Sequence, residues 1–468
     1  MDDKRIAILR DEPVFPSILS LAIPTILGMI VQVFYNLTDT FFVGKLNDPF
    51  QVAAVSVSFP IFMMMMAISG IFGFGASSYV SRLLGKKDYL LAKKTSATAF
   101  YSCLFISVLV TILGLTFIYS ILQLIGITIE TVSYAYDYLS IIFFGSIIMM
   151  ANFCLGQLIR SEGAARTAML GMFIGTSINI ILDPIFILWL GYGVKGAAVA
   201  TIIGQAGGLL YYLSFYIKKR SMISINWKYF SPQKEIFLEI FRVGFPASLN
   251  NIMMSVAQTL GNYVAAGYND LVVAAYGINH RIFSMAIMIL IGLSEGTQPL
   301  IGYNYGARNL KRFNDIFKIA ALMATGISVI FCIFFYFFAG KMMQIFIHNE
   351  QVVAYGRQIM RAVIIALPFA GIQFLIRVSF QALGKGKPAL ILALARQGLF
   401  YAPALFLLNR FFGFSGFIYA QPFANILTCV LAVILFQRIK LQITNEHLEA
   451  ESKLVKPAPA LEETFIEF

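Results

Sequence analysis

The sequence predicts an all-α integral membrane protein with twelve transmembrane helices in two pseudo-twofold-related six-helix lobes. Three observations carry this. Of the 468 residues, 59% are hydrophobic and only 12% charged, where an ordinary soluble domain carries roughly 25%. A soluble core could not absorb so much apolar surface, so the excess must face lipid. Residues 23–88 return, faintly rewritten, at 245–309, with Gly75, Gly85 and Asp88 answered by Gly296, Gly306 and Asn309 at one offset. Lastly, Lys and Arg crowd into alternate loops.

Charges and Gly/Pro punctuation place spans at 14–43, 51–80, 94–123, 132–158, 166–190 and 195–217. The second half gives 237–266, 271–302, 314–338, 353–381, 388–409 and 415–437. Stretches 95–129, 196–217 and 411–437 lack any charge, and each can cross a hydrocarbon core that needs roughly 20 residues. One set of loops holds Arg82, Lys86, Lys87, Lys93, Lys94, Arg160, Arg166, Lys218, Lys219, Arg220, Lys228 and Lys234, then Arg308, Lys311, Arg312, Lys385 and Lys387. The other holds little beyond Lys45, Lys195, Lys341 and Arg410. The positive-inside rule puts the rich set and both termini in the cytoplasm, in a multi-pass protein of the cell (inner) membrane. Each half has an even number of spans, so the repeat is parallel, about an axis along the membrane normal. Residues 1–217 are expected to form the first lobe, 218–235 a cytoplasmic linker and 236–440 the second lobe. The Glu- and Pro-containing end, 441–468, reads as a disordered cytoplasmic tail.

Several function classes recede. The net charge of +12 is a topology signal with some attraction to anionic lipid headgroups, and nucleic acid is not expected as a partner. Cys103, Cys154, Cys332 and Cys429 fall one per apolar segment without ligand spacing, and His280, His348 and His447 form no cluster. There is no HExxH or Walker loop, which argues against a metallo-enzyme of that type or an ATP-driven pump and implies no cofactor. The polar first ten residues lead into a full span rather than a signal peptide. A monomer is expected.

Lone charges in apolar spans are expensive unless paired, hydrated or neutralised. Asp39 lies near the outer end of the first span and Asp183 at similar depth in the fifth, with Thr201 level with them in the sixth. Asn36, Asn179 and Gln205 fall one turn further in, on the same faces. This layered pocket can hold a proton or ligate a small hard cation such as Na⁺ at Asp39, Asn179, Asp183 and Thr201. The competing reading is local: Asp183 caps or hydrogen-bonds locally before Pro184, and Asp39 pairs with a buried amide. Neither acid is duplicated in the second half, where Glu295, Arg377 and Arg396 are placed at a common inner depth as a charge-compensated network or, through Glu295, a drug contact. Gln32, Tyr35, Asn152, Phe153, Met172, Gln205, Tyr276 and Glu295 are the candidate substrate-cavity residues. Aromatic and Met side chains suit flat cations but equally serve packing. Pro24 and Pro246 occupy matching positions in the first and seventh spans and are candidate bends.

The block IPTILG…QVFYNLTDTFFVG, the loop GASSYVSRLLGKKD, NIILDPIF in the fifth span and EGTQPLIGYNYGARN in the second half resemble the MATE (multidrug and toxic compound extrusion) family, in its bacterial MepA-like branch. The resemblance covers about residues 14–440. It implies twelve helices in two lobes and export of cationic or amphipathic drugs driven by inward H⁺ or Na⁺. It also implies a first-lobe cation site on the positions of Asp39, Asn179, Asp183 and Thr201, the ones that depth alone selects. Some relatives carry further acids in the seventh and tenth spans; this chain has none between Phe241 and Tyr268 and offers Arg377 instead. The rival reading is a flippase for a lipid-linked sugar or other amphipathic lipid, which would want a cationic cavity.

Overall fold

The computed structural model describes residues 2–46, 48–125 and 127–455. A short helix α1 (Asp2–Arg10) precedes the spans. The first half continues with α2 (Val14–Gly44), α3 (Pro49–Gly85), α4 (Tyr89–Thr116), the short α5 (Ile118–Leu124), α6 (Ile129–Ser161), α7 (Ala165–Asp183) and α8 (Gly193–Ile217). The second half holds α9 (Lys234–Ala266), α10 (Asp270–Gly306), α11 (Leu310–Phe346), α12 (Glu350–Val363) with α13 (Leu367–Ala382), α14 (Gly386–Leu394) and α15 (Ala402–Val455). No strand occurs among the described residues.

Ten of the helical stretches pass a length-and-apolarity test for crossing a membrane. Two features reconcile these with twelve spans. The stretch Gly386–Glu446 is two spans turned at Gly413, whose φ of 56° and ψ of −137° break the helix; glycine reaches that region without a Cβ penalty. Helix α9 fails the test because Asn250, Asn251, Gln258 and Asn262 dilute its apolar run.

Helices of each half pack chiefly on one another, with three main exceptions that join the halves, one of them α3 against α10. Helix α2 lies along α10 as well as α7, and α9 lies along α3. Repeat-related glycines make these contacts. A Cβ on Gly75 would strike the Ile240 carbonyl on α9, and one on Gly296 would stand 2.5 Å from the Cα of Ala22 on α2. At the basic ends of α3 and α10 the exchange is reciprocal: a Cβ on Gly85 would collide with the Tyr303 carbonyl, and one on Gly306 with that of Arg82. The same face carries the Arg82–Glu239 ion pair at 2.7 Å, joining α3 to α9.

Helix α1 ties both halves together on that face. Arg5 pairs with Glu162 at 3.0 Å and donates to the Arg220 carbonyl. The carbonyls of Leu9 and Ile8 accept from Asn304 at 2.9 Å and Arg312 at 3.2 Å. The fully buried Glu162 also accepts from the Met222 amide and the Ser221 hydroxyl. Burial pushes its carboxyl up to about 7, against the opposing pull of Arg5. The connection between the halves is therefore docked. Ser96 donates to the Ser224 carbonyl, Thr98 bonds both backbone groups of Ser231, and Trp227 stacks on Phe230.

One expectation changes. Helix α15 runs on to Val455, into the stretch read as a disordered tail, because its Glu, Leu, Ala and Lys residues are good helix formers; residues 456–468 lie outside the described residues. Pro24 and Pro246 sit inside helices that continue through them.

Candidate functional site

The polar pocket of the first half rests on four-residue spacings. Tyr35 and Asp39 on α2, Asn179 and Asp183 on α7, and Thr201 and Gln205 on α8 each share one helical face. Helices α7 and α8 approach closely where Gly204 stands against Asn179 and the Gly175 carbonyl, which brings Thr201 to the acids. Directly after Asp183, Pro184 supplies no N–H, and the chain passes into a π turn, Pro184–Trp189. Such turns are frequent at functional sites.

Asp183 is fully buried, Asn179 and Thr201 nearly so, and Asp39 half-buried. The Asn179 amide donates to Asp183 Oδ1 at 3.1 Å. The Tyr35 and Thr201 hydroxyls lie 3.2 Å apart. Asp39 and Asp183 interact electrostatically, and the hydroxyls of Tyr35 and Tyr138 feel both carboxylates. Asp183 makes no capping bond to the turn that follows it. Asp39 Oδ1, Asp183 Oδ2 and Asn179 Oδ1 are buried without a hydrogen-bond partner. Lys195, the basic residue of the rim, is engaged by Asp137 at 3.1 Å. Neither acid has a Lys, Arg or His within ion-pair distance among the described residues. Three orphaned acceptors in low dielectric form an arrangement that a shared proton or a hard cation completes. Among the described residues there is no group of three or more His, Cys, Asp or Glu that could hold a metal ion.

The other candidates divide. Asn152 donates to Gln205 at 2.6 Å, a second polar layer beneath the acids. Met172 packs against Gly28, and Phe153 meets Phe74 edge-on. Gln32 is half-buried on α2. The side chain of Asn36 lies outside the described residues. Tyr35, sought as a drug contact, sits against Thr201. Tyr276 lines a separate cavity in the second half. Glu295 is not on that cavity's wall; it acts electrostatically on Arg377 without a contact ion pair. Tyr138 went unnoticed in the sequence, since one aromatic among many carries no signal except its position on α6 level with the acids.

A duplicated bundle of spanning helices around a buried acidic pocket defines a multi-pass membrane transporter. The MatE family model matches twice, over residues 24–185 and 246–407. The chain belongs to the MATE family. It is 32% identical over 445 residues to the multidrug export protein MepA of Staphylococcus aureus, covering 95% of this chain and 98% of that one. It is 33% identical over 447 residues to MepA of Staphylococcus haemolyticus, at the same coverage. A solved outward-facing structure of a multidrug resistance MATE family transporter of the MOP superfamily superposes with a TM-score of 0.90 at 29% identity, covering 94% of this chain and 99% of that one.

Proposed function

We propose that this protein is a secondary active multidrug efflux antiporter that exports cationic or amphipathic compounds in exchange for H⁺ or Na⁺. Both termini face the cytoplasm, and residues 1–217 and 236–440 are the two moving lobes. The observation that carries the coupling role is the set of three buried, unpartnered oxygens on Asp39, Asp183 and Asn179. Ion uptake there satisfies those oxygens and relieves the repulsion between the acids. Asp39 rides on α2, which also packs along α10, so occupancy bears directly on how the two halves meet. Drug and coupling ion must favour different states, since a ligand without differential affinity shifts nothing. Support for the drug class comes from the MepA relatives, whose names state multidrug export.

The test is efflux of a fluorescent organic cation from proteoliposomes, with pH and Na⁺ gradients imposed separately. Efflux driven by a pH gradient alone rules out obligatory Na⁺ coupling. Asp39→Asn and Asp183→Asn should each abolish gradient-driven efflux. Wild-type efflux in either variant at equal reconstitution would refute the mechanism.

A further inference from the structure

We infer that the second half holds a distinct subsite for a carboxylate carried by the exported compound, built on Arg396. The inference rests on the export reading above and adds to it the residues that would hold an acidic group of the cargo.

A cavity of about 200 Å³ opens among α9, α10, α12, α15 and the turn joining α14 to α15. Arg396 lies on that turn, a π-helical segment Ala395–Tyr401, and is 5% exposed. Its guanidinium is held from two sides. Nε donates to Asn425 Oδ1 at 3.3 Å, and the plane sits 4.8 Å above the Phe374 ring. The remaining N–H groups have no carboxylate to meet. No Asp or Glu lines the cavity, and among the described residues Arg396 makes no ion pair. Its electrostatic neighbour is Arg377, another cation, which lies over the same ring at 5.9 Å. An arginine cannot shed its charge, so this is a buried cation without a counterion, which is unfavourable until an anion arrives. The guanidinium fork matches a carboxylate with two parallel bonds.

The rest of the wall fits the same ligand. The amide oxygens of Gln397 and Asn279 are buried without partners, so they suit a neighbouring N–H or O–H donor on the ligand. Tyr276 and Phe283 supply an aromatic side. A cavity of roughly 150 Å³ holds a benzene ring, so this one takes the aryl carboxylate arm of a dye while a polycyclic body stays outside it. A lipid diphosphate would call for several cations, and the cavity wall presents one arginine.

The test uses the full chain in proteoliposomes and one rhodamine dye in two forms, the methyl ester and the free carboxylate. Wild-type protein should export both under an ion gradient. Arg396→Gln should lower export of the free acid roughly tenfold, the loss expected for a charge-assisted hydrogen bond, and leave the ester unchanged. Gln421→Glu keeps the arginine but sets a competing carboxylate on the cavity wall, and should show the same selective loss if Arg396→Gln fails to fold. Binding of the free-acid dye in detergent, followed by fluorescence anisotropy, should weaken in parallel. Equal effects on both dyes, or undiminished export of the acid in a folded variant, would overturn the subsite. If wild type exports the ester but not the acid, the subsite is wrong and the export reading stands. If neither dye moves under any gradient, both fall.

Discussion

Replacing Gly85 by alanine should push the protein out of the conformation seen here. The new Cβ would collide with the Tyr303 carbonyl, and the reciprocal change, Gly306→Ala, would collide with the Arg82 carbonyl. In both cases the obstacle is backbone, so no rotamer change relieves it, and α3 and α10 must separate at their basic ends. Overpacking of this kind costs about 1–3 kcal/mol. Because the contact exists only where these ends are closed, the penalty falls on one state of the transport cycle. A coupling of 1–3 kcal/mol corresponds to a shift of roughly 5- to 150-fold in the balance between states. The assay is distance measurement by spin labels placed at the basic ends of α3 and α10 in reconstituted protein, with and without drug. Each variant should move population toward the longer distance. The double variant should move it by less than the sum, since both changes open one contact. Wild-type distance distributions in both single variants would refute the idea that this glycine pair seals the basic face.

Tyr35→Phe removes one hydroxyl partner of Thr201 and should weaken the coupling-ion response of drug efflux by about 1 kcal/mol, near fivefold, read as a shift in the ion concentration at half-maximal efflux. Asn179→Leu strips the amide from Asp183 and should weaken it further, with no loss of folded protein on a sizing column. Glu162 gives a pH prediction. Its native carboxyl is raised to about 7 from an ordinary 4.5, so the native state binds the proton more tightly than the unfolded chain. Its stabilising contribution is full below about 4.5 and is lost as pH rises through about 7. Thermal midpoints of wild type should fall across that window relative to Glu162→Gln, and parallel curves for the two proteins would count against it.

Much of this architecture is legible in the residues because a bilayer leaves few choices. Apolar stretches must be helices, so charge, Gly and Pro mark their ends, and Gly413 falls between the last two expected spans. Asp39, Asn179, Asp183 and Thr201 are readable for the same reason: a polar group at a given depth has to answer to another at that depth. What needs three dimensions is rotation about each helix axis. Depth placed Arg396 with Glu295 and Arg377, yet only Arg396 lines the cavity with Asn279 and Gln397. A π turn inserts extra backbone there and turns the following side chains out of α-helical register, which no spacing rule anticipates. The Tyr35–Thr201 pairing and the position of Tyr138 were hidden likewise, since aromatic residues are plentiful along every span.

The exchange of α2 and α9 between the halves bears on how such a chain could have arisen. Each half lends its leading helix to the other as a wall, and the grooves that receive them are floored by Gly75 and Gly296. A single half expressed alone would leave that groove bare and its own first helix without a seat. Two copies would cure both defects by embracing each other, in the geometry the fused chain now has. Once fusion made the partner permanent, the grooves still had to fit in both copies, while the pockets no longer had to match. One could become acidic and the other basic.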